Sequence, residues 1–111
     1  MQSPIPPEQA DAWLQSNVVS PLAGQKAFQP GGDGILIVDF DESAITDIDH
    51  GGGHIAAVIW GPPVKSGFRQ TSTTVYQHES MLQTVMETLN LTDPPGSAAI
   101  APALGEFFVQ K

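Results

Sequence analysis

The stretch Gly34-Ile-Leu-Ile-Val-Asp-Phe-Asp-Glu42 sets the terms for the rest of the chain: consecutive apolar residues, preceded by Gly31-Gly32-Asp33-Gly34, run into paired carboxylates. A short apolar run bounded in this way predicts a strand buried on both faces, over about residues 34–41. A second run, Ile55-Ala-Ala-Val-Ile-Trp60, follows Gly51-Gly-Gly-His54 and is closed by Gly61-Pro62-Pro63, which predicts a partner strand over about 54–60. The loop between them is too short and too rich in Asp and Gly for a crossover helix. Parallel neighbours need a crossover of about a dozen residues or more, whereas any loop can join antiparallel ones. The expectation is an antiparallel pair, with the end of the first strand and the start of the second at one edge of the sheet. Such a pair would gather Asp41, Glu42 and His54 into half of a metal site.

The charge distribution points the same way. Six of the twelve acidic residues (Asp33, Asp39, Asp41, Glu42, Asp47, Asp49) lie between 33 and 49, with no Lys or Arg among them. A bound divalent ion would relieve their repulsion. Carboxylate oxygens with an imidazole nitrogen suit Mg, Mn, Fe or Zn alike. Taken one at a time, these residues also have plainer roles: an acidic pair commonly ends a strand in solvent, and a His opening a strand commonly hydrogen-bonds at its edge. Alternate strand residues face opposite sides, so Asp41 and Glu42 can meet one ion only if the chain bends at 41. The glycines 51–53 lead into a strand, whereas a phosphate-cradling loop needs a helix to open there. An EF-hand starting at Asp39 also fails, because Ala44 and His50 stand where Gly and Glu would be needed.

A formal net charge of −8 argues against nucleic acid or an anionic membrane as a direct partner. Without cysteine there are no disulfides and no thiolate metal site. No apolar run approaches the roughly 18 residues of a membrane span, and the start, Met-Gln-Ser-Pro-Ile-Pro-Pro, lacks the features of a signal peptide. With 111 residues the chain has room for one domain at most.

Two helices flank the strands. Pro7-Glu8 ahead of Ala10, Trp13, Leu14 and Val18 predicts an amphipathic helix over about 7–18, ended by Ser20-Pro21. Met81, Leu82, Val85, Met86 and Leu89 form one stripe of a second helix over about 78–90, with Glu79 in its first turn and Asn90 at its stop. Phe68 to Tyr76 reads as extended or irregular, and Pro102 to Phe108 as one or two closing helical turns. His50 reads as a solvated loop residue, His78 as part of the helix start, Lys65 and Arg69 as exposed loop charges, and Trp60, Met81 and Met86 as core. Two strands alone are marginal in water, so the fold needs further strands and layers, or an assembly that supplies them.

Six pieces occur in order along the chain: Phe28-Gln29-Pro30 leading into Gly34–Glu42; Gly51-Gly-Gly-His54-Ile-Ala-Ala-Val-Ile-Trp-Gly-Pro62; Val64-Lys-Ser-Gly67; Thr74-Val-Tyr-Gln-His-Glu-Ser-Met-Leu82; Pro95-Gly-Ser-Ala-Ala99; and Ala101-Pro-Ala-Leu-Gly-Glu-Phe-Phe108. Together they resemble the C-terminal part of the bacterial phosphoesterase family that contains phospholipases C and acid phosphatases, within the alkaline phosphatase superfamily. The resemblance implies an α/β fold, three-layered with a mixed sheet, of which residues 1–111 would form a single partial domain. It implies hydrolysis of phosphate esters at a centre holding a divalent metal ion. Asp41 and Glu42 match the family's acidic pair, and His54 falls where several members place a further metal-binding His. The family's nucleophile and first metal ligands belong to a half with no counterpart here, so little or no turnover is expected of this chain alone. Related enzymes are often exported. The alternatives are a non-catalytic remnant or small binding module, self-associating through an exposed sheet edge, and a simple cation-binding acidic domain.

Overall fold

The computed structural model describes residues 6–41, 43, 46 and 53–109, which divide between two units, Met1–Pro63 and Val64–Lys111. The sequence predicts one partial domain over 1–111.

In the first unit, helix α1 spans Pro7–Leu14. Proline at the first helical position has no N–H to leave unpaired, and Glu8 meets the positive end of the helix dipole. The carbonyl of Pro6 accepts from Gln9 N–H (3.0 Å) and Ala10 N–H (3.1 Å). The sequence predicts that Ser20-Pro21 ends this helix, but the helical path continues. A wider π turn at Gln15–Val19 leads into α2, Ser20–Ala23, and Ser20 N–H reaches back five residues to Gln15 O. Proline in a helix lacks a donor and crowds the carbonyl four residues earlier; the π turn shifts the pairing just ahead of Pro21, so the ring is admitted. Asn17 Nδ2 donates to the carbonyl of Trp13 (3.0 Å) within the shifted stretch. No residue of 7–23 is fully buried, and Trp13 is 59 % exposed.

Strand β1 (Leu36–Asp39) and strand β2 (Ala57–Trp60) form a two-stranded antiparallel sheet, as the sequence predicts, though each is shorter than expected. The register pairs Leu36 with Trp60, Ile37 with Ile59, Val38 with Val58 and Asp39 with Ala57. With the helices this makes a small α/β arrangement. The expectation of strands buried on both faces is corrected. Leu36, Ile37 and Val38 are half-buried, Ile59 likewise, and Ala57, Val58 and Trp60 are exposed. A strand is sealed on both faces only where layers cover both, and a two-stranded ribbon brings no such layers. Residues opposite one another share a face, so Leu36, Val38, Val58 and Trp60 form one apolar side, and Phe40 continues it.

The ribbon closes tightly at its other end. Gly61 has φ +152°, and a Cβ there would lie 2.1 Å from the carbonyl oxygen of Gly34. At Gly34 a Cβ would lie 2.6 Å from the Phe28 ring. Phe28 belongs to a 3-10 turn, Lys26–Phe28, and stacks on Trp60 with centroids 5.1 Å apart and 19° between planes. Trp60, expected in the core, is 37 % exposed, with Phe28 stacked on one face of its ring.

In the second unit, helix α3 spans His78–Thr88. Ser80 Oγ accepts Gln77 N–H (3.1 Å), pairing a donor at the helix start. At the other end Asn90 takes φ 56°, its N–H bonds to Glu87 O (3.1 Å) and Leu91 N–H bonds to Met86 O (2.8 Å), the left-handed stop that the sequence assigns to Asn90. The deepest edge of α3 is not its apolar stripe. Ser80 and Thr84 are buried while Leu82 and Leu89 are exposed, because α3 packs on the short 3-10 turn Gly96–Ala99 and small side chains permit the close approach. Thr84 Oγ1 donates to Ser80 O (2.8 Å) and accepts Leu104 N–H (2.9 Å), tying the helix to the segment that follows Ala98. The closing turn is a 3-10 turn, Gly105–Phe107, and Val64 and Phe108 form an isolated antiparallel bridge, with Lys65 N–H on Phe107 O at 2.8 Å.

Candidate functional site

Antiparallel pairing decides which chain ends become neighbours. Phe40 N–H donates to Ala56 O (3.3 Å), so the ladder reaches one step past Asp39 and Ala57 toward Asp41 on one strand and His54 on the other. Asp41 and His54 are both exposed at this end of the ribbon. The chain bends at Asp41, the position where alternation along a straight strand would otherwise send successive carboxylates to opposite sides. Glu42, the third member of the proposed set, lies outside the described residues, as do Asp47, Asp49 and His50.

The donor chemistry at this end suits a borderline or hard divalent ion: carboxylate oxygen from Asp41, imidazole nitrogen from His54. The described residues do not complete a cage, since no group of three or more metal-ligating side chains occurs among them. An ion held here would therefore need Glu42 and donors from beyond the described set.

A different constellation, which motif reading passes over, lies in the second unit. Glu106 Oε2 accepts hydrogen bonds from Ser72 Oγ (2.7 Å) and from the Tyr76 hydroxyl, which approaches closely. The bonds from Ser72 and Tyr76 hold the Glu106 carboxyl below its usual range, and the charge of Lys65 adds to the effect. Tyr76 moves the other way: desolvation first, then the bond to Glu106 and its negative charge, raise the phenol above its ordinary 10.0. The ring of the neighbouring Phe107 meets Phe68 edge-on (5.1 Å, 86°) and Tyr76 likewise (6.1 Å, 63°), while Lys65 Nζ sits 4.8 Å above Phe68. Local pattern gives no warning of this cluster, because Ser72 and Tyr76 meet a carboxylate some thirty residues away.

Phe28, Pro30, Trp60, Gly61 and Pro62 line a shallow open groove of about 220 Å³. It lies at the Leu36–Trp60 end of the ribbon, away from Asp41 and His54, and its lining is mostly apolar.

Comparison with family models, curated proteins and solved structures finds no match for the chain.

Proposed function

We propose that the chain is a segment of a metal-dependent phosphoesterase of the phospholipase C and acid phosphatase type, contributing Asp41, Glu42 and His54 to a site completed by residues outside these 111. On this reading the ribbon is part of a larger mixed sheet in a three-layer α/β/α fold, and the substrate is a phosphate ester. The observation that carries the proposal is the register: Asp39 opposite Ala57, with Phe40 N–H on Ala56 O, makes the acid-bearing end of β1 and the imidazole-bearing end of β2 neighbours. The six ordered sequence pieces support it, and so does the exposure of Val58, Phe40 and Trp60, apolar surface of the kind that further strands and helices cover.

A divalent ion at such a site would act as a Lewis acid on a phosphoryl oxygen. The chain's own part is narrower. Asp41 and Glu42 would supply anionic oxygens, the bend at Asp41 would let both face one centre, and His54 would add a neutral nitrogen donor. The nucleophile would come from elsewhere, so the isolated chain should hydrolyse an aryl phosphate no faster than background, with or without added metal.

The direct test is thermal unfolding of the chain with Mn or Zn. Ion at about 100 times its dissociation constant would stabilise the folded form by about 2.7 kcal/mol, and Asp41→Asn would remove most of that gain. Identical melting with and without the ions would overturn the metal-binding part of the proposal.

A second reading draws on the uncovered apolar side itself. A ribbon exposing Val58 and Phe40 by 60 % each suits a binding module that pairs with another chain, a second copy included. Size-exclusion chromatography separates the two: a concentration-dependent dimer without metal response favours the module.

A further inference from the structure

Residues 68–76 carry no helix or strand, and most are exposed. Lys65 sits over the Phe68 ring, and the long-range contacts described for this segment fall on two adjacent residues, Glu106 and Phe107. Ser72 and Tyr76 donate to one carboxylate oxygen, while Phe68 and Tyr76 bracket the Phe107 ring edge-on. Within the segment, Gln70 Nε2 donates to Ser72 Oγ (3.2 Å) and to Thr74 O (2.6 Å). We propose that the Glu106 carboxylate is an acid-released clasp, holding residues 68–76 onto the Gly105–Phe107 turn when ionised and letting that segment go, while α3 stays folded, when protonated.

An ionised carboxylate offers only lone pairs, so Oε2 takes both hydroxyls at once, and its charge makes each bond about twice as strong as a neutral one. Protonated, the group loses that charge and gains a donor of its own, so both bonds weaken together. The charged neighbours of the carboxylate are few. Lys65, on the segment bridged to Phe108, favours the ionised form; Tyr76 is neutral below its raised titration; Phe68 and Phe107 carry no charge. Glu106 titrates below the usual carboxylate range, so the clasp is closed at neutral pH and opens only in distinctly acid solution. The α3 junction has no such dependence, since it is held by Thr84, Ser80 and the Leu104 N–H, none of which titrates there. Release is therefore local.

Tyr76 is the only tyrosine in the chain, so its ring signals report on the clasp without ambiguity. The test is an NMR titration of the whole chain from neutral to about pH 3, following the Tyr76 ring and the amides of residues 70–76 against those of α3. The wild type should show one transition in the segment, below the ordinary glutamate range, with α3 still folded. Glu106→Gln should abolish that transition. Tyr76→Phe, which keeps the ring on Phe107, and Ser72→Ala should each move its midpoint upward, because each removes a donor that favours the ionised form. If Glu106→Gln does not fold, the two hydroxyl variants decide. A segment that does not respond to acid, a transition in step with loss of α3, or hydroxyl variants with the wild-type midpoint would each overturn the proposal.

Discussion

Every fully buried residue among those described, Ser80, Thr84, Ala98 and Leu104, belongs to the helical unit, whereas the strand unit leaves Val58 and Phe40 60 % exposed. The contrast runs against composition, since Gly34–Val38 and Ile55–Trp60 are among the most apolar stretches of the chain, and Ser80 and Thr84 are polar. Burial follows the availability of a second surface. Helix α3 finds one in the Gly96–Ala99 turn, and its buried hydroxyls are paired, Thr84 with Ser80 O and Leu104 N–H and Ser80 with Gln77 N–H; the ribbon has pairing along its inner edges and little across its apolar side. The helical unit thus gains order from a few satisfied polar contacts, while the strand unit is held by tight backbone approach and leaves much of its apolar side exposed.

Four measurements would break or sharpen that contrast. The largest effect is expected at Gly61, where alanine would combine a positive φ with a Cβ against the Gly34 carbonyl. Gly61→Ala should cost about 3 kcal/mol or more and remove the β1–β2 pairing, read from amide exchange at 36–39 and 57–60. The α3 amides should be unaffected. A variant that keeps full protection in the ribbon would show that the closure is not the constraint described.

Next comes Thr84→Val, which keeps the shape of the side chain and strips the hydroxyl that serves both Ser80 O and Leu104 N–H. Leaving the buried Leu104 N–H unpaired should cost about 1–3 kcal/mol in denaturant unfolding of the helical unit. A neutral result would mean that water replaces the hydroxyl and the junction is less sealed than its burial indicates.

A smaller effect concerns alkaline pH. The folded chain raises the Tyr76 phenol above 10.0, so the stability that its protonated form contributes is complete below pH 10 and is lost as pH climbs through the raised value. Tyrosinate absorbance should therefore develop later in the folded chain than in urea. Glu106→Gln should bring the two curves closer; coincident curves in the wild type would contradict the contact.

The smallest change is expected for Val58→Thr, within about 0.5 kcal/mol, because an exposed site has little packing to lose. A cost above about 1 kcal/mol would show that something covers this face in solution, which would favour the self-associating module.

Much of the strand unit was legible in advance because its signals are local. An apolar run ending in acids, a loop too short for a crossover helix and a Gly-Pro-Pro stop led to antiparallel pairing, and that pairing is present. The helix limits at Pro7 and Asn90 were equally legible, since a missing N–H and a left-handed φ are properties of single residues. The Pro21 stop was misjudged because a π turn upstream redistributes the hydrogen bonds, and no local rule calls for one there. The Ser72–Tyr76–Glu106 cluster could not be read at all, because it joins residues more than two dozen positions apart through side chains common in any loop.

The order of residues alone determined where α1 and α3 start, which way two neighbouring strands run, and that Asp41 and His54 come to one end of them, because each follows from backbone geometry over a few residues. Tertiary structure alone decided which apolar residues escape water, that a serine and a threonine form the tightest junction, and that one carboxylate near the chain's end gathers two distant hydroxyls. Those outcomes depend on which surfaces meet, and contact between distant segments leaves no periodic trace in the sequence.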